Sequence, residues 1–233
     1  MAAGDPADPD LRRLQQRLAD LGYDVGPVDG VAGARTTAAV VAFQKVEGLS
    51  RDGRPGPEVE AALARASSPG PLVPGGAPTR IEVDLARQVL LYWEDGALAR
   101  ILPVSTGSGR YYCNPDGTCE YAVTPTGTYR IGRRYAGPEV APLGTLYHPM
   151  YFNRGIAIHG SPTMPPYPDS HGCVRIPMYA AAGFYDQVAT GTPVHVVDGG
   201  PSSASSAMAA PPPDDVPPAD EVAPEESRVP GKV

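Results

Sequence analysis

A thiol and two imidazoles lie close together in the second half of the 233-residue chain. The segment Ser170-His171-Gly172-Cys173 carries the thiol and one histidine, and His159-Gly160 lies shortly upstream. A thiol is a weak nucleophile at its ordinary pKa of about 8.5, and a neighbouring imidazole makes it reactive. A lone cysteine is more often a small buried hydrophobe. The two histidines and the flexible glycine nevertheless favour Cys173 as a nucleophile.

The residues around Cys173 indicate how such a centre would work. Gly172 permits a tight bend, which would turn successive N–H groups into a cleft as an oxyanion hole. His159 ends the alternating run 155–158, which predicts a strand that delivers the imidazole to the cleft. A neutral imidazole with a pKa near 6.5 is a natural base for a thiol.

A helix is predicted just after Pro177, over the apolar, alanine-rich run 178–188. If its N-terminus lay close to the thiol, the helix dipole would lower the pKa of Cys173.

A metal hydrolase is an alternative interpretation, because His159, His171 and Cys173, supported by His148 or an acid, are donors that suit zinc. The chain has no HxxxH or CxxC spacing among these residues. We therefore expect no metal, and the alternative stays open at this point.

Four ordered motifs resemble one known family. Ile158-His159-Gly160 followed by Ser170 to Arg175 is similar to the active-site signature of the YkuD-type L,D-transpeptidases, which cross-link peptidoglycan. Upstream, the segments 103–107 (PVSTG) and 124–129 (TPTGTY) resemble that family's "STG" and "TPxGxY" motifs. The resemblance covers about residues 79–198. Two departures concern specificity: His159 and Ser170 are unusually close in sequence, and Arg175 stands where the motif often has Asn.

The resemblance implies a role for each active-site residue. Cys173 would attack a diaminopimelate carbonyl in a stem tetrapeptide and expel D-Ala. His159 would accept the thiol proton, oriented by a backbone carbonyl at or near Gly160. The N–H groups of Gly172 and Cys173, with His171 nearby, would hold the oxyanion. An amine from a second stem would then release the acyl group. Water as the acceptor would give an L,D-carboxypeptidase, and a non-catalytic peptidoglycan-binding protein is a further alternative.

Three more residues are candidates for substrate binding. Arg175 would pair with a substrate carboxylate or form a structural salt bridge. Tyr147 and Tyr167 would line the groove or serve only in packing. The resemblance also implies acylation of Cys173 by carbapenems, and it implies no metal or organic cofactor.

The amino-terminal part predicts a small three-helix bundle. Leucines at helical spacing indicate a helix over 10–21, and further helices are expected at about 34–47 and 57–66. Short motifs that include Leu21-Gly22-Tyr23, Asp29-Gly30 and Phe43-Gln44 resemble the peptidoglycan-binding domain type 1.

We therefore predict a multidomain chain. Residues 8–66 form the helical domain, 67–78 a Pro/Gly linker, and 79–198 the catalytic domain. The catalytic domain is expected to be mainly β, of sandwich or barrel type, with one helix after the cysteine. Residues 199–233 are rich in Pro, Ser, Ala and acids, and we expect them to be disordered.

Two further cysteines flank a strong turn signal. Cys113 and Cys119 surround Asn114-Pro115-Asp116-Gly117, which would bring them together. In an exported protein they would form a disulfide that rigidifies a loop over the groove and leaves Cys173 as the free thiol. Two free surface thiols are the alternative.

Composition restricts partners and location. The net charge is −7 and there is no basic patch of consequence, so nucleic acid is not an expected partner. No run approaches the roughly 18 apolar residues of a membrane helix, and the first residues do not resemble a leader. Since peptidoglycan stem peptides are the implied substrate, we expect an extracytoplasmic monomer whose leader is not present in this chain.

Overall fold

The computed structural model describes residues 7–199, so residues 200–233 of the predicted acidic tail lie outside the described residues. The described residues form four helices and eleven strands: α1 (Pro9–Asp20), α2 (Ala34–Glu47), α3 (Pro57–Arg65), β1 (Arg80–Asp84), β2 (Val89–Glu94), β3 (Ala97–Pro103), β4 (Tyr111–Cys113), β5 (Cys119–Tyr121), β6 (Gly127–Arg130), β7 (Pro138–Ala141), β8 (Gly144–Asn153), β9 (Ile156–Ser161), β10 (Val174–Pro177), α4 (Met178–Gln187) and β11 (Pro193–Val197). The predicted fold class is confirmed, and the four predicted helices agree with α1–α4 to within one residue.

Two sheets form the body of the catalytic part. One has the strand order β3-β2-β1-β11-β6 and the other the order β10-β9-β8-β7. Their facing apolar side chains make one core, to which α4 adds Ala180, Ala181 and Phe184. Burial of these side chains is the main force that holds the two sheets together.

Strand β2 is covered on both faces. Leu90 and Tyr92 point into the core between the sheets, whereas Val89, Leu91 and Trp93 pack against a second core that contains the helices α1–α3. A strand buried on both faces has a continuous apolar sequence rather than an alternating one. This explains why alternation in the run 89–93 is imperfect.

The helical unit, by which we mean α1–α3, therefore shares its core with the outer face of the five-stranded sheet. Leu18 and Phe43 of the helices belong to the same buried cluster as Leu91 and Ile101 of the strands. The sequence predicts a core within the three helices alone. The boundaries 8–66 and 79–198 stay predictions, but the two parts pack as neighbours with a common apolar interior.

The predicted linker 67–78 also packs against the sheet. Leu72 is buried in the shared core, and the N–H groups of Leu72 and Val73 donate to the Glu82 carboxylate at 2.8 and 3.2 Å. Glu82 is itself fully buried and pairs with Arg80 at 2.7 Å. The composition of this segment predicts a free linker, but the contacts to Glu82 fix it to the sheet.

The sequence predicts no strand over 138–141, where the structure has β7. It lies at the edge of its sheet and pairs only with β8. Proline is tolerated at the first position of an edge strand, because the missing N–H faces away from the ladder. Because proline usually argues against a strand, Pro138 prevents the prediction of β7 from the sequence.

Lys45 carries a buried amine in the contact between α2 and the sheet. Its side chain is 1% exposed, and its Nζ donates to the carbonyl oxygens of Gln88 at 3.1 Å and Val104 at 2.8 Å. Burial, with a smaller effect from the charge of Arg51, lowers the pKa of Lys45 to about 7. No helix among residues 7–199 is long and apolar enough to cross a membrane.

The depressed pKa of Lys45 predicts a pH dependence of stability. Between pH 7 and the ordinary value of 10.5 the unfolded lysine holds a proton that the folded one has lost, so the free energy of unfolding rises with pH in this window. We expect Lys45→Met to remove that rise. Urea unfolding of both proteins at pH 7 and pH 9 measures it, and an equal pH dependence in the two proteins would contradict the assignment.

Candidate active site

The candidate nucleophile and base lie on neighbouring segments of one sheet. Strands β9 and β10 pair in parallel, with Arg175 opposite His159 and Ile176 opposite Gly160. The connection between them, residues 162–173, is here named the cysteine loop. Because β9 carries His159 and the loop ends at Cys173, immediately before β10, the parallel pairing brings the two residues together.

Cys173 is partly exposed and is the one free cysteine among the described residues 7–199. The Ala157 N–H points at its Sγ at 3.5 Å. Burial raises the pKa of the Cys173 thiol above its ordinary value, while the bond from Ala157 and the charge of Arg175 act in the opposite direction. At neutral pH the resting group is therefore the thiol.

The helix predicted after the cysteine does not lower this pKa. The four residues of β10 lie between Cys173 and the start of α4, which separates them by about 13 Å of extended chain. The dipole effect falls off within the first turn of a helix. Activation of the thiol must come from a base.

His159 has the properties of that base. Its ring is buried, and Nδ1 donates to the carbonyl oxygen of Gly160 at 2.9 Å. Burial lowers the pKa of His159; the bond to Gly160 opposes this shift, and the charge of Arg175 adds a smaller lowering effect. The imidazole is neutral at pH 7 and its Nε2 carries the lone pair that can accept a proton.

Two glycines of the motif are required by close contacts. A Cβ at Gly160 would lie 2.5 Å from the Cβ of Ala181 on α4. Gly172 has a φ of +133°, and a Cβ there would lie 2.9 Å from the Val123 carbonyl oxygen. Glycine thus lets the base strand approach α4 and lets the cysteine loop bend before the thiol.

Ser170 organises the backbone on either side of Cys173. Its buried hydroxyl donates to the Cys173 carbonyl at 2.6 Å and accepts the Gly172 N–H at 3.1 Å. The sequence predicts that the Gly172 N–H faces an oxyanion. It instead bonds to Ser170, because the bend at Gly172 folds the loop back onto this hydroxyl.

The two upstream motifs hold the cysteine loop in place. Ser105 and Arg175 exchange backbone hydrogen bonds at 3.0 and 3.2 Å, and the Thr106 carbonyl accepts the N–H groups of Asp169 and Ser170 at 2.9 and 2.8 Å. From the other motif, the Thr124 hydroxyl donates to the Gly172 carbonyl at 2.7 Å. These side-chain and backbone contacts are what the Ser/Thr/Gly motifs supply.

A cavity of about 870 Å³ opens over the thiol. Five of the predicted site residues line it, namely His159, Ser170, His171, Cys173 and Arg175. Gly160 and Gly172 do not line it, but their close contacts with Ala181 and Val123 shape the backbone beside it. The structure therefore brings the predicted catalytic residues into one site.

The two predicted substrate-binding tyrosines do not line this cavity. Tyr147 lies on β8 opposite Pro138 and Gly160, and Tyr167 is an exposed residue whose carbonyl accepts the Ser105 hydroxyl at 2.8 Å. The tyrosines that do line the cavity are Tyr112, Tyr121, Tyr129 and Tyr151. Proximity to the loop in sequence was therefore a poor guide to the walls of the groove.

Tyr112 comes from the hairpin β4–β5, whose strands are joined beside the turn by a Cys113–Cys119 disulfide. Its ring packs on His171, with 4.6 Å between ring centroids, and its hydroxyl donates to Glu120 at 2.7 Å. Burial and then Glu120 raise the pKa of Tyr112 to about 12, so the phenol stays a donor. The hairpin covers one side of the site. The predicted disulfide next to Tyr112 was the feature of the sequence that could have identified this residue as part of the site.

Arg175 forms the structural salt bridge that was one of its two predicted roles. It lines the cavity, and its guanidinium pairs with Asp169 of the cysteine loop at 3.3 Å. The ion pair fixes one end of the guanidinium. Binding of a substrate carboxylate by Arg175 stays a prediction.

A metal centre built on these histidines lacks the required geometry. His148 accepts the Gly137 N–H at 3.2 Å, and its ring packs against Tyr185 rather than near Cys173. Within residues 7–199 there is no group of three or more His, Cys, Asp or Glu side chains that could hold a metal ion.

Two family models match the chain. The L,D-transpeptidase catalytic domain (YkuD) matches residues 78–196, and a peptidoglycan binding domain matches residues 7–63.

One solved structure supports the match to the catalytic domain, and a second is reported beside it. The chain is similar to the crystal structure of the L,D-transpeptidase (residues 123–326) from Xylanimonas cellulosilytica, with 39% identity and a TM-score of 0.76 over 82% of this chain and 95% of that one. An L,D-transpeptidase from Stackebrandtia nassauensis is 25% identical over 84% of this chain and 94% of that one, with a TM-score of 0.49.

Curated relatives match over shorter segments. The N-acetylmuramoyl-L-alanine amidase CwlM of Mycobacterium tuberculosis is 43% identical over 79 residues, which is 34% of this chain and 19% of that protein. OpcA of Synechocystis is 46% identical over 54 residues, which is 23% of this chain and 11% of that protein. The chain thus spans less than a fifth of the length of these relatives.

The neutral state of His159 predicts how Cys173 reacts with pH. Alkylation of the thiol by iodoacetamide should quicken as the pH rises through the lowered pKa of His159, with a midpoint below 6.5 and little further change up to pH 8. His159→Gln should abolish this rise. Alkylation rates from pH 5 to 9 provide the measurement, and a single midpoint near 9 or above would mean that the thiol ionises without the base.

Proposed function

Because the chain belongs to the YkuD-type L,D-transpeptidase family, we propose that it cross-links peptidoglycan by cysteine acyl transfer. The donor is a stem tetrapeptide that loses its terminal D-Ala, and the acceptor is an amine of a second stem. The helical unit, which matches a peptidoglycan binding domain, holds the chain on the same polymer. Such a substrate requires action outside the cytoplasm.

One observation carries this proposal. A partly exposed thiol at Cys173 and a buried, neutral imidazole at His159 line one cavity, and the Nδ1 of His159 is fixed on the Gly160 carbonyl. The tautomer that results leaves Nε2 as the proton acceptor for the thiol. A neutral thiol beside a neutral base is suited to attack with concerted proton removal.

In the acylation half-reaction, Sγ of Cys173 bonds to the carbonyl carbon of the diaminopimelate residue. The thiol proton passes to Nε2 of His159. When the tetrahedral intermediate collapses, the bond to the D-Ala nitrogen breaks and the leaving amine takes that proton from His159. A thioester on Cys173 and free D-Ala are the products of this step.

The oxyanion of that intermediate needs donors that are not already engaged. The Gly172 N–H is bonded to Ser170, so we assign this role to the Cys173 N–H, assisted by His171. Tyr112 packs on the His171 ring and restricts where the imidazole can point. Each well-placed donor of this kind contributes about 3 kcal/mol to the transition state.

In the second half-reaction the acceptor amine attacks the thioester carbonyl and gives its proton to His159. The carbon–sulfur bond breaks, and Cys173 regains the proton as a thiol. Water in the same position would yield a shortened stem instead of a cross-link. The choice between amine and water depends on which molecule the cavity holds next to the thioester.

The charged groups of the cavity suit a stem peptide. Arg154 and Arg175 line it and would bind carboxylates of the donor, while Glu120 on the hairpin is the acid in its wall. Guanidinium groups bind carboxylates through two parallel hydrogen bonds. Recognition of a diaminopimelate stem, which carries carboxylates and an amine, is consistent with this mixture of charges.

The proposal predicts the products from a disaccharide tetrapeptide. Purified protein should form dimers that have lost one D-Ala, because the acyl group passes from Cys173 to an amine. Mass spectrometry of the products measures this, and Cys173→Ser should give none. Tripeptide alone would identify a carboxypeptidase, and unchanged substrate would identify a binding protein; both results contradict the transpeptidase proposal.

His159→Gln should lower the rate of the same reaction by about 10²- to 10⁴-fold, the usual contribution of a general base. The side chain of Gln is similar in size, so the thermal unfolding temperature should change little. Steady-state turnover and thermal unfolding are the two measurements. A variant that keeps more than a third of the wild-type turnover would exclude His159 as the base.

A further inference from the structure

Two basic side chains of the amino-terminal part contact the catalytic part. Lys45 lies on α2 and is buried, and Arg51 follows α2 and is partly buried. Among residues 7–199, no acidic side chain forms an ion pair with either of them. Both instead donate to backbone carbonyl groups.

A short series of hydrogen bonds begins at the amine of Lys45. Its Nζ donates to the carbonyls of Gln88 and Val104 at 3.1 and 2.8 Å, and the Val104 N–H donates to the same Gln88 carbonyl at 3.0 Å. Gln88 has a φ of 61°, which is uncommon for a residue other than glycine. The amine of Lys45 thus braces a turn that the backbone would not readily adopt alone.

The side chain of Gln88 continues this chain to the STG motif. Its Oε1 accepts the Thr106 N–H at 3.0 Å, and its Nε2 donates to the Thr106 hydroxyl at 2.7 Å. The Thr106 carbonyl accepts the N–H groups of Asp169 and Ser170, and Ser170 binds the Cys173 carbonyl. Lys45 is therefore linked to the nucleophile through three intermediate residues.

Arg51 contacts the cysteine loop directly. Its Nη1 donates to the Pro166 carbonyl at 3.1 Å, and the next carbonyl, of Tyr167, accepts the Ser105 hydroxyl at 2.8 Å. The two basic side chains thus act at two places on the loop. Arg51 acts at 166–167, and Lys45 acts through Gln88 and Thr106 at 169–170.

A buried lysine without an acid is costly to keep. Removing a charge from water without a partner costs several kcal/mol, and an apolar residue of similar size is often equally or more stable in its place. Stability alone does not explain an amine at this position. Its contacts with Gln88 and Val104 offer another reason.

We propose that Lys45 and Arg51 are positioning residues for Cys173. Lys45 on α2 and Arg51 in the turn after α2 hold the cysteine loop in the geometry that attack requires. The amino-terminal part then positions the catalytic nucleophile in addition to binding the cell wall. This proposal rests on the proposed function, since it assigns the role to the same nucleophile.

The test compares the full chain with the variants K45M, R51M, R51K and R65Q. Arg65 is the control, because it is exposed on α3 and donates only to the Ala61 carbonyl of its own helix. Three quantities are measured: hydrogen exchange of amides in 162–173, the rate of Cys173 acylation by a carbapenem from intact mass, and the thermal unfolding temperature.

We expect K45M and R51M to exchange faster in the cysteine loop and to be acylated about tenfold more slowly, the effect of roughly 1.4 kcal/mol on a rate. The unfolding temperature of K45M should stay the same or rise. R51K, which keeps one donor for Pro166, should restore most of the acylation rate, and R65Q should behave as wild type.

Wild-type loop exchange and acylation in both K45M and R51M would overturn the proposal. The proposal would also be overturned if K45M and R51M were acylated more slowly only in proportion to a lower unfolding temperature, and if R65Q showed the same effect. A wild-type protein that reacts with neither stem peptide nor carbapenem would instead contradict the proposed function, while exchange in 162–173 would still decide whether Lys45 and Arg51 hold the loop.

Discussion

The active site depends on how the polar backbone of the cysteine loop is satisfied. A loop without regular secondary structure that lies partly inside a protein must find partners for its N–H and C=O groups, since an unpaired buried group is expensive. Here the partners are the Thr106 carbonyl and the Thr124 hydroxyl from the two upstream motifs, and Ser170 from the loop itself. Cys173 is placed by these bonds, and its reactivity follows from that placement.

The same burial sets the chemistry of the nucleophile and its base. Burial raises the pKa of Cys173 and lowers that of His159, which favours the neutral form of both groups. In such a centre the cysteine is a thiol, not a thiolate, between turnovers. The neutral pair is consistent with a reaction in which the substrate displaces water from the cavity. The thiol then attacks the substrate carbonyl while its proton passes to His159.

Particular residues show what the sequence could predict. The nucleophile, the base and its carbonyl partner at Gly160 follow from short motifs, because each contact is made within a few residues along the chain. Lys45, Gln88 and Tyr112 escaped prediction, since their partners lie 18 or more residues away in sequence and depend on how α2 and the hairpin pack. The apolar run of β2 indicates a strand, but not that helices from the amino-terminal part cover one of its faces.

The most direct test of the account is the covalent state of Cys173 during turnover with a tetrapeptide stem. Rapid acid quenching followed by peptide mass spectrometry should find a thioester on the peptide that contains Cys173, with the mass of the donor less D-Ala, and the thioester should disappear when an acceptor amine is added. Formation of cross-linked product with no adduct at Cys173, or with the adduct on another residue, would contradict it.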